Sequence, residues 1–379
     1  MNSLERVQAM LEGQPFDKYP VFNPHAQWYL MPHWPQLNGK CWLHPSHGSN
    51  EEKIECWLKT KESLGIDFVF ALITQPNQDT RWSIEYDGTI PELVNLKTGE
   101  RESFPELPKD LVTDYKHYNT LAEIEALPPP LTAEEIYNPE LYELQRRVIE
   151  ETGSDSFLYT HLESPFAACY RSLTFEGLFE TMMDFPLMIH ALMERFTETA
   201  IQNIKAVGSS GIIHGIHFNE YPAGAELISE DQFKEFILPY MKRYYLAIKE
   251  EGMVSIMEYL GWAEPRMHLL AELDLDILQT ESSLKGYQNR LTEYRRILGD
   301  DICLLSNSPI YNIIERGNHD DWRNDAKIQA QGIGSKKRFG ICPGSPITWA
   351  TTPERFKQWH ETVQEVCLEI APGNNMEDA

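Results

Sequence analysis

The run Gly211-Ile-Ile-His-Gly-Ile-His-Phe218 is followed by an amphipathic stretch from Ser229 to Glu251 and by a second run, Val254-Ser-Ile-Met-Glu-Tyr259. Short apolar runs that alternate with helical stretches of this length are typical of βα units around a parallel sheet. Ser229 and Gln232 have the spacing of a capping box, so we expect the helix to begin there. This stretch therefore predicts a strand, a helix and a second strand.

The same alternation extends over most of the chain. The candidate strands run from Tyr19 to Asn23, Ile66 to Leu72, Phe157 to Leu162, Gly211 to Phe218, Val254 to Tyr259, Asp276 to Thr280, Ile302 to Ser306 and Phe339 to Cys342. A further helix is predicted from Pro186 to Val207, with Asp184-Phe-Pro as its capping turn. Eight βα units predict an α/β fold, a (β/α)₈ TIM barrel.

One region interrupts this pattern. From about residue 80 to residue 138 the helical period disappears, and Asp87-Gly88, Lys97-Thr-Gly99 and Pro128-Pro-Pro130 mark turns. We expect a β-hairpin and a linker laid over one face of the barrel. The predicted organisation is one barrel domain over residues 1–371, with this insertion at about 80–138, and a flexible tail over residues 372–379.

Composition excludes several classes of function. The formal net charge is −25, which would repel nucleic acid and anionic membranes, so we expect neither as a partner. No apolar stretch is long enough for a membrane helix, and the start of the sequence lacks the layout of a signal peptide. We therefore expect a cytoplasmic protein. The six cysteines form no Cys-x-x-Cys pair, which argues against a disulfide framework or a zinc ribbon.

Active sites of TIM barrels lie at the carboxyl ends of the strands, so polar residues at those positions are the first candidates. They are Asn23, His25, His161, Glu163, His217, Glu220, Glu258, Glu281, Asn307 and Cys342. So many polar strand ends favour an enzyme, although some of these side chains must simply hydrogen-bond loop backbone.

Two of these candidates can be examined further by strand geometry. Glu258 shares a strand face with Val254 and Ile256, so its carboxylate is expected to point into the barrel mouth as a ligand or an acid-base group. The alternative is a glutamate that caps a loop. His214 and His217 are three residues apart and face opposite sides of a strand, so both cannot bind one metal ion. We favour His217, which is nearer the strand end, and a structural histidine remains the alternative.

Several motifs resemble those of the uroporphyrinogen decarboxylase superfamily, and they occur in the family's order. They are Arg6-Val-Gln-Ala-Met-Leu-Glu-Gly13 followed by Asp17-Lys-Tyr-Pro-Val21, Trp82 to Gly88 followed by Gly99, Glu163-Ser-Pro-Phe166, Ser229-Glu-Asp-Gln-Phe-Lys-Glu-Phe236 with Pro239-Tyr240, and Ile341-Cys-Pro-Gly344 with Thr352-Pro-Glu354. The segment at residues 82–99 is similar to the corrinoid-dependent methyltransferase branch. The resemblance implies the TIM-barrel fold.

Two departures from the family pattern bear on the chemistry. The decarboxylases have an arginine-rich segment after the first strand that grips substrate carboxylates, whereas Phe22-Asn-Pro-His-Ala-Gln-Trp-Tyr29 contains no arginine. Decarboxylation of uroporphyrinogen is therefore disfavoured. The methyltransferase branch binds zinc through a His-x-Cys-Gly segment and a later cysteine. Aligned on Gly261, Glu258 takes the histidine position and Leu260 the first cysteine position, while Cys342 matches the later cysteine.

The resemblance implies a zinc-dependent methyltransferase that exchanges a methyl group with cobalamin. The expected metal ligands are some three of His217, Glu220, Glu258 and Cys342, with Glu258 and Glu220 as catalytic groups, and the expected substrate-binding residues are His161, Arg171, Tyr86 and Glu281. The chain has no Asp-x-His-x-x-Gly motif for cobalamin, so a separate corrinoid protein would carry it. An oxygen-rich ligand set and the aromatic N-terminal segment favour a methoxylated aromatic donor, and other small methyl donors remain open.

Two other functions stay open at this point. One is a metal-free decarboxylase or lyase in which His161 and Arg171 orient a small carboxylate. The other is a non-catalytic barrel subunit that binds a corrinoid protein or a small ligand. The sequence also leaves open whether the protein forms a homodimer.

Overall fold

A computed structural model describes residues 1–71, 82–107, 116–153, 155–283, 286–344 and 346–370. Its strands are β1 (Phe68–Phe70), β2 (Trp82–Glu85), β3 (Glu92–Asn95), β4 (Arg101–Ser103), β5 (Phe157–His161), β6 (Gly215–Asn219), β7 (Val254–Tyr259), β8 (Ile277–Thr280), β9 (Cys303–Leu305) and β10 (Phe339–Gly340). Strands β1, β5, β6, β7, β8, β9 and β10 form one parallel sheet in that order. The predicted barrel strands therefore lie side by side.

The first predicted strand joins the two edges of this sheet. The backbone N–H of Phe22 donates to the carbonyl of Ile341 at 2.8 Å, and the N–H of Ile341 donates to the carbonyl of Pro20 at 2.8 Å. On the other side, the N–H of Asp67 donates to the carbonyl of Val21 at 2.9 Å. The segment thus lies between β10 and β1, which confirms the prediction at the level of a TIM-barrel-like α/β fold.

The helices lie mainly between consecutive strands. They are α1 (Ser3–Glu12), α2 (Ala26–Tyr29), α3 (Trp34–Asn38), α4 (His44–His47), α5 (Asn50–Leu64), α6 (Leu121–Glu125), α7 (Ala133–Ile136), α8 (Glu143–Thr152), α9 (Pro165–Leu173), α10 (Phe175–Asp184), α11 (Pro186–Gly208), α12 (Glu230–Phe236), α13 (Leu238–Glu250), α14 (Met267–Leu270), α15 (Leu291–Leu298), α16 (His319–Gln329) and α17 (Pro353–Ile370). None of the helices in the described part of the chain is both long and apolar enough to span a membrane.

The structure changes two helix predictions. The capping box of Ser229 and Gln232 is present, but the expected single helix divides into α12 and α13 at Ile237. Pro239 explains the break, because it has no N–H to continue the hydrogen-bond ladder and its ring crowds the preceding turn. The capping turn at Asp184 was wrong, since Asp184 ends α10 and no side chain caps α11.

The insertion is larger than the predicted hairpin. Strands β2 and β3 form the expected hairpin around Asp87-Gly88, but β4 adds a third antiparallel strand, and α6 and α7 follow. The sequence signal for β4 was missing because Arg101, Glu102 and Ser103 are all exposed and polar. Residues 80, 81 and 108–115 of the predicted insertion, and the predicted tail at 372–379, lie outside the described residues.

Buried side chains fill the interior of the barrel. Phe22, Phe68, Phe157, Ile256 and Ile277 form one apolar cluster there, which Val7 and Met10 of α1 extend. A packed interior leaves no channel, so a site for chemistry is restricted to the end of the barrel where polar side chains replace this cluster.

Candidate active site

Glu258 is the centre of a polar cluster at the carboxyl end of β7. Its side chain is fully buried, and its carboxylate is contacted by two histidines and one amide. Oε2 lies 3.2 Å from Nε2 of His25 and 3.6 Å from Nε2 of His217, and Oε1 accepts a 3.3 Å hydrogen bond from Nε2 of Gln279. Glu258 therefore lies among other polar side chains at the strand ends, and its role as a ligand or an acid-base group stays a prediction.

His217 lies on β6 and its position follows from the register of the sheet. Asn219 pairs with Glu258 across the two strands, and His217, two residues earlier, faces the same side as Asn219. Nδ1 of His217 is 3.1 Å from Nδ1 of His161 on β5. Nε2 has no hydrogen-bond partner in the described part of the chain. This ring therefore presents an unpaired nitrogen to the carboxylate of Glu258.

The environment keeps two of these imidazoles neutral. Burial lowers the pKa of His217 well below its usual value, and the neighbouring His161 and His25 lower it further. His161 keeps an exposed surface at the end of β5, but many protein atoms surround its imidazole. This desolvation, together with the nearby His25 and Arg171, lowers the pKa of His161 to about 4. Neutral imidazoles can act as proton acceptors or as ligands, whereas protonated ones cannot.

His25 completes the cluster from another part of the chain. It precedes α2, is 21% exposed, and reaches across to Glu258, which lies 233 positions later. The sequence identifies His25 as a polar strand-end residue, but no sequence pattern predicted its contact with Glu258. Its partial exposure makes it the member of the pair that can contact both solvent and the buried carboxylate.

Glu220 has a different setting, although it lies only three residues after His217. Its backbone N–H donates to the carbonyl of Glu258 at 2.9 Å, but its carboxyl makes no hydrogen bond with the cluster in the part of the chain that the structure describes. Burial raises the pKa of Glu220 to about 8, and a hydrogen bond with Ser164 opposes that rise. At neutral pH, Glu220 is therefore a protonated acid.

The four predicted metal ligands are not gathered in one place. His217 and Glu258 are neighbours, whereas the thiol of Cys342 lies in the apolar interior cluster, and burial together with Glu258 raises its pKa well above the usual value. Within residues 1–370, apart from the gaps given above, no group of three His, Cys, Asp or Glu side chains is arranged to hold a metal ion.

The predicted substrate-binding residues separate into one cluster member and three with other partners. His161 belongs to the cluster. Nε of Arg171 lies 2.6 Å from a carboxylate oxygen of Glu163. Glu281 accepts hydrogen bonds from the backbone N–H of Gly261 at 2.9 Å and from the hydroxyl of Tyr287 at 2.7 Å. Tyr86 packs in the insertion sheet against the apolar cluster around Leu93. Of this set, the structure thus brings only His161 into the cluster, where it contacts His217.

A cavity opens beside His25. Its volume is about 360 Å³, and its walls include Trp28, Tyr29, Ile347 and Trp349. Trp28 and Tyr29 belong to the aromatic N-terminal segment, Trp28 to Trp42, whereas no sequence pattern indicated Trp349. Since His25 contributes both to this cavity and to the cluster, a molecule bound in the cavity would reach the cluster through His25.

The comparisons with known proteins agree with this architecture. The family model described as uroporphyrinogen decarboxylase (URO-D) matches residues 105–366, which is more than half of the chain. The chain belongs to the URO-D family. The resemblance seen in the sequence motifs is thereby confirmed, and the family assignment covers β5 to β10 together with the strand ends that carry His161, His217 and Glu258.

A methyltransferase from Methanosarcina mazei has the same fold. The match has a TM-score of 0.62 at 17% sequence identity and covers 96% of this chain and 99% of that chain. An intracellular xylanase from Thermoanaerobacterium saccharolyticum matches 53% of this chain and 70% of its own at 11% identity, but its TM-score of 0.30 carries no weight. The same holds for a β-L-arabinopyranosidase from Geobacillus stearothermophilus, with a TM-score of 0.38, 7% identity and coverage of 94% and 78%. No curated protein sequence matches the chain.

Proposed function

We propose that this URO-D-family protein is a cytoplasmic methyltransferase that moves a methyl group between a small donor and the cobalamin of a separate corrinoid protein. The preferred donor is a methoxylated aromatic compound, so the reaction would be an O-demethylation. The observation that carries the proposal is the buried carboxylate of Glu258, which faces Nε2 of His25 at 3.2 Å and Nε2 of His217 at 3.6 Å. The fold shared with a protein described as a methyltransferase is consistent with this proposal.

The chemistry requires a proton at the oxygen that loses the methyl group. The corrinoid protein would supply reduced cobalt as the nucleophile for the methyl carbon, and the electron pair of the broken carbon–oxygen bond would stay on the oxygen. Because Nε2 of His25 contacts Glu258, the other ring nitrogen, Nδ1, is the atom that can donate a proton to the oxygen, while Glu258 stabilises the ring through Nε2. Protonation of the leaving oxygen lowers the barrier because it prevents the build-up of negative charge.

Glu220 and His217 have supporting roles in this mechanism. His217 stays neutral next to Glu258, so it does not compete for the proton that His25 carries. Glu220, protonated at neutral pH, is a second acid near the strand ends that can replace the proton once it has been used. Both roles depend on a mouth that excludes bulk water when the corrinoid protein docks.

Zinc stays part of the proposal with a changed set of residues, in which His25 joins His217 and Glu258 in place of Glu220 and Cys342. In donor type, His25, His217 and Glu258 suit zinc, and the unpaired Nε2 of His217 is the kind of buried atom that a metal ion would satisfy. Their arrangement as it stands is not that of a metal group, so we route no step through zinc. When bound, zinc would act as a Lewis acid on the donor oxygen.

The decarboxylase alternative has less support. It needs Arg171 and His161 to orient a carboxylate together, but the guanidinium of Arg171 is engaged by Glu163 at 2.6 Å and by the hydroxyl of Tyr221 at 3.2 Å, while His161 contacts His217. A substrate carboxylate would have to compete with Glu163 for the guanidinium of Arg171.

Methyl transfer to free cob(I)alamin tests the proposal. We expect wild-type protein to form methylcobalamin from 1,2-dimethoxybenzene, and Glu258→Gln to lower kcat by about 100-fold or more, since positioned acid-base groups contribute about 10²–10⁴-fold. The matched control is Asp325→Asn. Asp325 is also a buried carboxyl, but its partners are Ser308 and Gln329, so we expect its rate to stay within about threefold of wild type.

The same proteins decide the role of zinc. Stoichiometric zinc in chelator-free wild-type protein, lost in Glu258→Gln and kept in Asp325→Asn, would support the metal. Active protein without zinc would remove the metal and leave the acid mechanism. No methylcobalamin from methoxylated aromatics, methanol, methylamines or methylthiols would contradict the proposed function as a whole.

A further inference from the structure

The cavity beside His25 is built differently from the cluster that it adjoins. It measures about 360 Å³, near the lower end of the range for ligand pockets, which suits a molecule with a single ring. Trp28, Tyr29 and Trp349 supply aromatic walls, and Pro346 and Ile347 add apolar surface. The surface of the cavity therefore consists mostly of aromatic ring faces and aliphatic groups.

Three of the lining side chains use their polar atoms in contacts within the protein. Nε1 of Trp349 donates to the backbone carbonyl of Trp28 at 3.1 Å, and this bond fixes the two tryptophans relative to each other. The hydroxyl of Tyr29 donates to the carbonyl of Thr351 at 2.7 Å. The hydroxyl of Thr348, another lining residue, donates to Glu315. What these three side chains offer to a ligand is apolar surface rather than hydrogen bonds.

His25 is the lining residue with a basic side chain among those that the structure describes. A carboxylate or phosphate would meet no arginine or lysine on these walls, and burying it there would be costly. A quaternary ammonium would meet aromatic faces, but His25 would separate it from the carboxylate of Glu258, 3.2 Å beyond Nε2. An uncharged planar ring with one polar substituent can pack against the aromatic walls and form a hydrogen bond with His25.

We infer that this cavity is the donor site, and that it holds the aromatic ring of a methoxylated compound between Trp28 and Trp349 with an ether oxygen directed at His25. The inference rests on the proposed function for the fate of the methyl group, but ring binding can be measured without turnover. Aromatic contacts with the two indoles provide affinity, and His25 connects the ether oxygen with Glu258.

Calorimetric titration with 1,2-dimethoxybenzene tests this site directly. Trp28→Leu and Trp349→Leu should each weaken binding about tenfold, because each change removes one aromatic wall. Trp262→Leu is the matched control, since Trp262 is 37% exposed, close to the 40% of Trp349, and does not line the cavity. We expect this control to bind as the wild type does. Tetramethylammonium and benzoate, titrated as competitors, should leave the affinity for dimethoxybenzene unchanged.

The outcomes separate this inference from the proposed function. If wild-type protein binds 1,2-dimethoxybenzene, both cavity variants lose that binding and wild-type protein transfers no methyl group, the aromatic site is supported and the methyltransferase function is contradicted. Methyl transfer with the same KM in wild type, Trp28→Leu and Trp349→Leu would keep the methyltransferase and overturn the site. No binding by wild type, equal loss in Trp262→Leu, or competition by tetramethylammonium or benzoate would also overturn it.

Discussion

The two ends of the barrel both bury charged side chains, but they pair them in different ways. At the amino end, the guanidinium of Arg6 meets Asp67 at 2.5 Å and both oxygens of Asp17 at 2.7 and 2.8 Å, and it also donates to the carbonyl of Met1. The second oxygen of Asp67 accepts the backbone N–H of Val21 at 2.9 Å. Each group in this network has its partner, and the network joins α1 to the first two strands.

At the carboxyl end the pairing is incomplete. Nε2 of His217, one oxygen of Glu220 and both polar atoms of the Asn23 amide have no hydrogen-bond partner among the described residues, although all three side chains are buried. Unsatisfied buried polar atoms are costly and are uncommon in regions that serve only the fold. The amino end of the barrel thus uses its charged side chains for stability, whereas the carboxyl end retains unpaired polar groups that a ligand can bind.

The largest expected effect comes from breaking the complete network. Arg6→Met leaves Asp67 buried without its cation, so we expect the free energy of unfolding to fall by about 3–5 kcal/mol, measured by urea denaturation. Binding of 1,2-dimethoxybenzene to the folded variant should not change, because the cavity is at the other end. Arg101→Met is the control: Arg101 is 51% exposed and pairs with Glu85 and Glu92, so its loss should cost less than about 1 kcal/mol. Equal losses in the two variants would refute the contrast.

A second test uses pH and the carboxyl end. Glu220 has a pKa of about 8 in the folded protein and 4.5 as its ordinary value, so between these limits the folded state binds more protons than the unfolded state. Stability from this group is therefore present below pH 4.5 and is lost as the pH rises to 8. In Glu220→Gln this loss disappears, and we expect the fall in unfolding free energy between pH 5 and pH 8.5 to shrink by about 2–4 kcal/mol.

An exposed carboxyl provides the control for that measurement. Glu235 is 56% exposed, and Glu235→Gln should leave the wild-type pH dependence in place. If Glu220→Gln has the same slope as wild type, Glu220 is ionised in the folded protein, and its role as a reserve acid fails.

The sequence predicted the fold more completely than it predicted the site, and individual elements show why. The bounds of β7 were correct because Val254 to Tyr259 combines a short apolar run with a clear helix before it. The prediction for β6 began four residues early, at Gly211, where a positive φ of 65° makes a turn instead. Apolar residues continue through that turn because they pack on the core, so hydrophobicity alone does not reveal where ladder hydrogen bonds begin.

For the site, contacts between neighbouring strands follow from the sheet register, whereas contacts between segments that are distant in sequence have no local signal. Register on neighbouring strands brings His217 next to Glu258, and strand ends could be identified from the sequence. His25 approaches Glu258 only because the ring of strands brings the first βα loop beside β7, and no local pattern encodes that contact. The pairing of Arg171 with Glu163 likewise depends on how the loop after β5 turns, so a residue predicted to hold substrate is held by its own neighbour.

His217→Phe should change the unfolding free energy least of all these variants. It should nevertheless lower methyl transfer, so it distinguishes a functional role of His217 from a structural one. The rings of Phe22 and Tyr159 lie 5.8 and 6.0 Å from the imidazole, so a phenyl ring has apolar neighbours there and removes the unpaired Nε2. The lost contact with His161 and the removed cost of burying an unpaired nitrogen should together leave the unfolding free energy within about 1 kcal/mol of wild type.

His360→Phe is the matched control, because Nε2 of His360 bonds the carbonyl of Leu64 at 2.9 Å and the loss of this bond should cost about 1–3 kcal/mol. Methyl transfer should fall only in His217→Phe, since His360 lies outside the cluster. A loss of stability in His217→Phe as large as that in His360→Phe would mean that the mouth histidine is structural, and the two ends of the barrel would then differ in geometry but not in purpose.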